Sequence, residues 1–198
     1  MTSKLSSLRF KDYYRNILQL DTITKFNLVN NGRQINVKKI ILNFSFSGVN
    51  FKKKRTIPFF LVLELITGQK SQLKTNRVKK LATAFKLRKG APVGCKVTLR
   101  GASLYQFCDY LLLALAKSGD FQGFSKDLLE NYSGNAFSFS LEDLFDFYQM
   151  DVEFYAMVHS VCITLIFNAK STEEKIFIAS GYKLPVLIKG KNRSIGKV

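Results

Sequence analysis

Residues 67–101, TGQKSQLKTNRVKKLATAFKLRKGAPVGCKVTLRG, hold ten Lys and Arg and no Asp or Glu. The stretch reads as strand, long basic loop, strand, with a short strand near Gln72–Thr75 and a second over 94–100. Gly68 at the front, and Gly90, Pro92 and Gly94 at the back, read as turn signals, because Gly reaches positive φ and Pro fixes φ near a turn value. The loop, 76–90, is long for a connection inside a compact domain, and loops of that kind tend to carry function. An acid-free cationic loop held between two strands calls for an anionic partner.

The charge distribution sharpens this. The chain has 198 residues and a formal net charge of +17. Residues 1–101 carry 22 Lys and Arg against 3 acids, and residues 102–198 carry 9 against 11. The whole excess therefore sits in the first half, which is the electrostatic footprint of a nucleic-acid-binding surface. A membrane surface is the competing polyanion. A membrane-surface protein would show a long basic amphipathic helix with aromatics on its apolar face. Here the cations fall in a loop and on strands, which favours RNA.

Other chemistries find few parts. Cys95, Cys108 and Cys162 form no C-x-x-C pair and read as reduced thiols of a non-secreted protein. With His159 as the only His, no zinc site is expected, and no cofactor or metal. There is no nucleophile–base motif, phosphate loop or paired-carboxylate pattern, so no enzyme is expected. The acidic cluster Glu142, Asp143 and Asp146 lies in a Phe-rich setting and reads as a surface strand end. No apolar run approaches the ~20 residues that span a bilayer. The N-terminus, MTSKLSSLRFK, lacks the apolar run of a secretory signal and is short for an organellar transit peptide.

A hydrophobic content of 46% suits one domain over 1–198 with its own core. Residues 10–20 read as a helix with Tyr13, Ile17 and Leu20 along one face, and 22–36 as a polar loop. VKKIILNFSF, 37–46, reads as a central strand. A helix capped by Thr56, with Pro58 in its first turn, runs to about Ile66 and stops at Gly68. An amphipathic helix over Ser103–Lys117 buries Leu104, Phe107, Leu111, Ala114 and Leu115. DFQGF, 120–124, reads as a tight loop, 135–148 as a strand and its edge, and 161–169 as the last clear strand. Ser171 caps a final helix with Glu173 and Glu174 in its first turn, stopped by Gly181 and Pro185. The tail, 189–198, is basic and reads as mobile. The expected class is α+β: an antiparallel sheet of four to five strands with helices on one face.

LELITGQK (63–70), KLATAFKLRKGAPVGCKVTLRG (80–101) and DFQG (120–123) together resemble ribosomal protein five of the large subunit. YYRNIL (13–18), IILNFSFSG (40–48) and FNAKSTEEK (167–175) fit the same family in the same order, so the resemblance spans roughly 10–185. It implies a non-enzymatic protein that binds 5S rRNA in the central protuberance, among its other proteins, and touches large-subunit rRNA. It implies a basic loop reaching the elbow of peptidyl-site tRNA, and a bridge to the small subunit's ribosomal protein thirteen. Carried over by motif, Asn43, Gln69 and Thr98 correspond to 5S rRNA-contacting residues, with Lys70 beside Gln69 meeting phosphate. Amides and hydroxyls both donate and accept, which suits 2′-OH groups and base edges. Arg77, Lys79, Lys80, Lys86, Arg88 and Lys89 would form the tRNA- and rRNA-facing loop, where phosphate contacts position RNA without reading sequence.

The chain departs from the family at Cys162, where the resemblance implies an RNA-contacting Asp, and matches poorly over 135–158 and at FKKKR, 51–55. Heavy use of Lys, Phe, Ile and Asn fits an AT-rich genome and, with the divergence, an organelle-encoded protein of a mitochondrial ribosome. A divergent bacterial source, in the cytoplasm, is the alternative. So is a ribosome without a standard 5S rRNA, where other rRNA and neighbouring proteins would hold the chain. Plainer roles stand beside these: Asn43 satisfying a strand-end backbone group, Gln69 as an exposed helix end, Phe44 and Phe46 as core rather than base-stacking platforms. Val78, Leu81, Ala82 and Phe85 recur at helical spacing within the loop. His159 reads as a loop residue, and Cys95 and Cys108 as small core residues.

Overall fold

The computed structural model describes residues 9–28, 33–46, 56–76, 89–117, 124–125, 135–141, 144–150, 160–184 and 186–187. The expectations for DFQG, for 77–88, for Glu142 and Asp143, for His159, for Pro185 and for the tail fall outside them. In order, the elements are α1 (Arg9–Tyr13), a π-helical turn (Tyr14–Leu18), α2 (Gln19–Phe26), β1 (Val37–Ser45), α3 (Ile57–Thr67) and β2 (Gln72–Thr75). There follow β3 (Pro92–Leu99), α4 (Ala102–Lys117), β4 (Phe124–Ser125), β5 (Ala136–Leu141), β6 (Val161–Phe167), α5 (Thr172–Gly181) and β7 (Val186–Leu187). Five strands form one antiparallel sheet in the order β2-β3-β1-β6-β5, and β4 pairs with β7 in a small parallel ribbon. The α+β class and the central place of β1 stand as the residue pattern indicated.

Alternation builds the sheet. Ile40, Leu42 and Phe44 of β1, Cys95, Val97 and Leu99 of β3, Ile163 and Leu165 of β6, and Phe137 and Phe139 of β5 are buried on one face. The helices cover that face. Phe59 of α3 meets Phe44 and Phe46 edge-on at 5.5 and 5.0 Å between centroids, so both rings are core. Leu104, Phe107, Leu111, Ala114 and Leu115 of α4 are all buried, joined by Cys108.

The N-terminal helix differs from expectation. It runs on to Phe26, and its buried side is Phe10, Tyr14, Leu18 and Thr22, while Ile17 and Leu20 are exposed. The π turn is the reason: one extra residue per turn stretches the apolar repeat to four, so a 3.6-residue template selects the wrong side. Tyr14 stacks on Tyr182 at 6.2 Å and donates its hydroxyl to the Ile35 carbonyl at 3.1 Å, tying the helix to the approach to β1. Thr56 makes no side-chain cap to α3. Ser171 does cap α5: its Oγ accepts from the Glu174 N–H at 3.2 Å, and the Glu174 carboxylate accepts from the N–H groups of Lys170 and Ser171 and from Arg33 at 2.7 Å. Ser171→Ala should therefore cost about 1 kcal/mol, read as a lower denaturant midpoint with an unchanged m-value.

Burial also sets an alkaline limit. It pushes the Cys95 and Cys108 thiols up to about 12 from an ordinary 9.0, and the Tyr14 phenol up to about 12 from 10.0. Each group stays protonated in the fold and ionises once the chain unfolds. Rising pH therefore favours the unfolded chain. Stability is fully present below pH 9 and is lost progressively between about 9 and 12. Thermal midpoints should be flat below that window and fall within it. In the Cys95→Ala/Cys108→Ala protein the fall should begin nearer the tyrosine value of 10.

Candidate nucleic-acid interface

Among the described residues no helix covers the sheet's other face, and the register brings its residues into rows. Asn43 lies across from Lys96 on β3 and Cys162 on β6, Lys96 across from Gln72 on β2, and Cys162 across from Ser140 on β5. A single line, Gln72–Lys96–Asn43–Cys162–Ser140, thus crosses all five strands. At about 4.8 Å per strand it is roughly 19 Å wide. A second line is Thr98–Ile41–Thr164–Ser138, in which the Ser138 and Thr164 hydroxyls hydrogen-bond at 2.8 Å. Asn43, Lys96, Thr98, Cys162 and Thr164 are half-buried, and Gln72 and Ser140 are exposed. No carboxylate belongs to these rows, and Lys96 has no acid within ion-pair reach among the described residues. The face offers small donors and acceptors around one unneutralised cation, which is chemistry for sugar hydroxyls, base edges and a phosphate.

Two of the named residues, Asn43 and Thr98, meet here. Gln69 and Lys70 do not join the rows. They lie exposed in the turn that feeds the edge strand β2. That turn is fixed from three sides. Gly68 adopts φ 64° and donates to the Glu64 carbonyl at 2.8 Å, the Gln69 N–H donates to Thr67 Oγ1 at 3.3 Å, and the Ser71 N–H donates to the Glu64 carboxylate at 3.2 Å. Gln69 and Lys70 are therefore presented on an ordered backbone at the end of the polar row.

At the other end of β2 the basic loop leaves the sheet. The Asn76 N–H donates to the Ala91 carbonyl and the Gly90 N–H to the Asn76 carbonyl, each at 2.9 Å, so the loop departs and returns at one closed neck. Lys89 is exposed at that neck. Arg77, Lys79, Lys80, Lys86 and Arg88 lie outside the described residues. Gly90, with φ 84°, makes the turn. Pro92 and Gly94 are not turn residues, as their composition suggested, but belong to β3. Gly94 is there because a Cβ would overlap the Phe44 carbonyl oxygen.

Gln72, Lys96, Ser138, Ser140 and Thr164 were not singled out by sequence. The signal that finds them is the alternate position in each strand, which becomes a site only once register joins strands far apart in the chain. Among the described residues no group of His, Cys, Asp and Glu could hold a metal ion, and no helix is long and apolar enough to cross a membrane.

Comparison with known proteins agrees with this geometry. The model of the ribosomal L5P family C-terminus matches residues 92–186, from β3 to β7. Large ribosomal subunit protein uL5m of Reclinomonas americana is 35% identical over 90% of this chain and 97% of its own length. Large ribosomal subunit protein uL5 of a Wolbachia species is 33% identical over 89% of this chain and 98% of its own, and protein uL5c of Stigeoclonium helveticum 32% over 93% and 98%. The chain belongs to the ribosomal L5P family and is a structural, non-enzymatic component of the ribosome.

Proposed function

We propose that this protein binds 5S rRNA in the central protuberance of the large ribosomal subunit through the face of its sheet that carries the polar rows. Asn43 and Thr98 read sugar and base edges, with Gln69 and Lys70 extending the contact from the β2 turn. The observation that carries this reading is the five-strand polar row, with Lys96, which has no acid partner among the described residues, at its second position. The basic loop, through Arg77, Lys79, Lys80, Lys86, Arg88 and Lys89, contacts large-subunit rRNA and the elbow of peptidyl-site tRNA. The domain bridges to ribosomal protein thirteen of the small subunit. The setting is a mitochondrial ribosome, a reading supported by the heavy use of Lys, Phe, Ile and Asn and by the likeness to the Reclinomonas protein.

The test is binding of the full chain to 5S rRNA across a salt series, against unrelated RNA. Affinity should fall steeply with salt, and Asn43→Ala and Gln69→Ala should each cost about 1–3 kcal/mol. Salt-sensitive binding that ignores both substitutions and shows no preference for 5S rRNA would favour the other reading, a ribosome component held by other rRNA and by neighbours.

Cys162 supplies an independent probe. It is half-buried on the open face, whereas Cys95 and Cys108 are buried. A maleimide should modify Cys162 alone in the folded chain, and 5S rRNA should slow that reaction at least tenfold. Unchanged labelling at saturating RNA would place the RNA elsewhere.

A further inference from the structure

We propose that the outer side of α3 docks another ribosomal protein, through a helix or extended segment whose aliphatic ridge is bordered by acidic residues. The helix, IPFFLVLELIT, is apolar on nearly every side. Its inner side is spent on the core, with Val62, Leu63 and Ile66 buried and Phe59 packed on Phe44 and Phe46. Its outer side still carries Ile57, Leu61 and Leu65, exposed by 55%, 42% and 43%. A helix apolar all round belongs inside a larger body. The three residues repeat every four positions and so form one ridge about 12 Å long at 1.5 Å per residue. Such a ridge packs into the groove of a second helix or into alternate pockets of an extended segment.

Charge selects the occupant. The only ionisable side chain within α3 is Glu64, and its carboxylate is engaged by Ser71. Lys52, Lys53, Lys54 and Arg55 precede the helix in sequence, and Lys70 is exposed just beyond it. An aliphatic ridge with four cations before it in the chain and Lys70 exposed beyond its end fits an apolar segment with acidic margins. RNA would suit the cations but not the ridge, since Ile and Leu offer neither a stacking face nor a hydrogen bond to a base. A second copy of this chain docking through its own residues 1–101 would bring cations against cations. So would the chain's own segment 77–88, which has no acid. Phe59 joins α3 to the helix-covered side of the sheet, opposite the polar rows, so the docked protein and the RNA occupy different faces.

The experiment places a benzophenone side chain at Leu61, and separately at Ile57, in the full chain assembled into its large ribosomal subunit, with Gln106 on α4 as the control position. After irradiation of purified subunits, the expected result is a cross-link from 61 and 57, and not from 106, to one protein. The adduct should map to a segment with aliphatics every three or four residues and Asp or Glu beside them. Leu61→Gln/Leu65→Gln should lower that protein's occupancy in the subunit at least tenfold while the chain's own affinity for 5S rRNA stays within twofold. Cross-links to rRNA, to any segment of this same chain, to a second copy or to nothing would overturn the proposal. So would occupancy unchanged by the double substitution.

Discussion

Gly94→Ala is expected to destabilise the fold by about 3 kcal/mol or more, beyond most single substitutions that remove no side chain. The new Cβ would overlap the carbonyl oxygen of Phe44, a backbone atom of the central strand. β1 has neighbours on both sides, β3 and β6, so it cannot retreat without breaking one ladder to relieve the other. A strand glycine of this kind marks a close backbone approach. For a chain of 198 residues that loss lowers the thermal midpoint by about 10 °C. Gly181→Ala is the control. There the Cβ would meet the end of the buried Leu18 side chain and no backbone atom, so a small side-chain shift relieves it, and at the last residue of α5 the preference of Ala over Gly is below the ~1 kcal/mol of a helix interior. Gly181→Ala should stay within about 1 kcal/mol of the parent. Equal effects at the two positions would show that β1 has freedom the ladder register denies it.

The same glycine shows where sequence reading stops. Its company of Gly90 and Pro92 suggests a turn, and Gly90 does turn, with φ 84°. Whether a glycine serves positive φ or close approach depends on what lies across from it, and Ser45 and Lys74 are supplied by other strands. Local signals fared better. β2 spans the Gln72–Thr75 expected of it, α4 buries the five positions its period selects, and Ser171 with Glu174 caps α5 as the motif predicts. These depend on residues within a few positions of each other. The π turn was not legible, because the apolar repeat of four over Phe10, Tyr14, Leu18 and Thr22 has a polar last member, buried only because the helix continues.

The candidate site divides along the same line. Motif resemblance singles out Asn43 and Thr98, and both lie on the open face. The partners that give Asn43 its meaning, Lys96 and Cys162, come from strands on either side, one from each half of the chain. Gln69 was legible as a motif residue but not as a member of a turn held by Thr67 and Glu64. Charge asymmetry located the anionic partner in the first half. The acid-free face, however, continues through β6 and β5 into the second half, whose net charge is slightly negative. On β6 and β5 the positions that carry the face forward are Cys162, Thr164, Ser138 and Ser140, none of them acidic, which only register could reveal.

Asn43→Asp and Cys162→Asp place carboxylates on directly paired residues, yet opposite outcomes are expected. Asn43→Asp keeps the side chain's size, so the fold should hold, with a thermal midpoint near the parent's. It removes an amide donor and sets a negative charge across from Lys96, the one cation of the row. The face then loses a hydrogen bond, roughly 1–3 kcal/mol, and its phosphate attraction is cancelled at the same point. Since 1.4 kcal/mol is tenfold, binding to 5S rRNA should weaken about a hundredfold, with a shallower salt slope. Cys162→Asp puts the charge one strand further from Lys96, between Asn43 and Ser140, which can both donate to it. The family resemblance implies an RNA-contacting Asp at this position, so affinity should change by less than threefold or improve. Equal losses at both positions would mean that RNA senses the face only as a charged plane. No loss from Asn43→Asp would mean that RNA does not lie on this face, and the protein's hold on the ribosome would then pass to the basic loop and to α3.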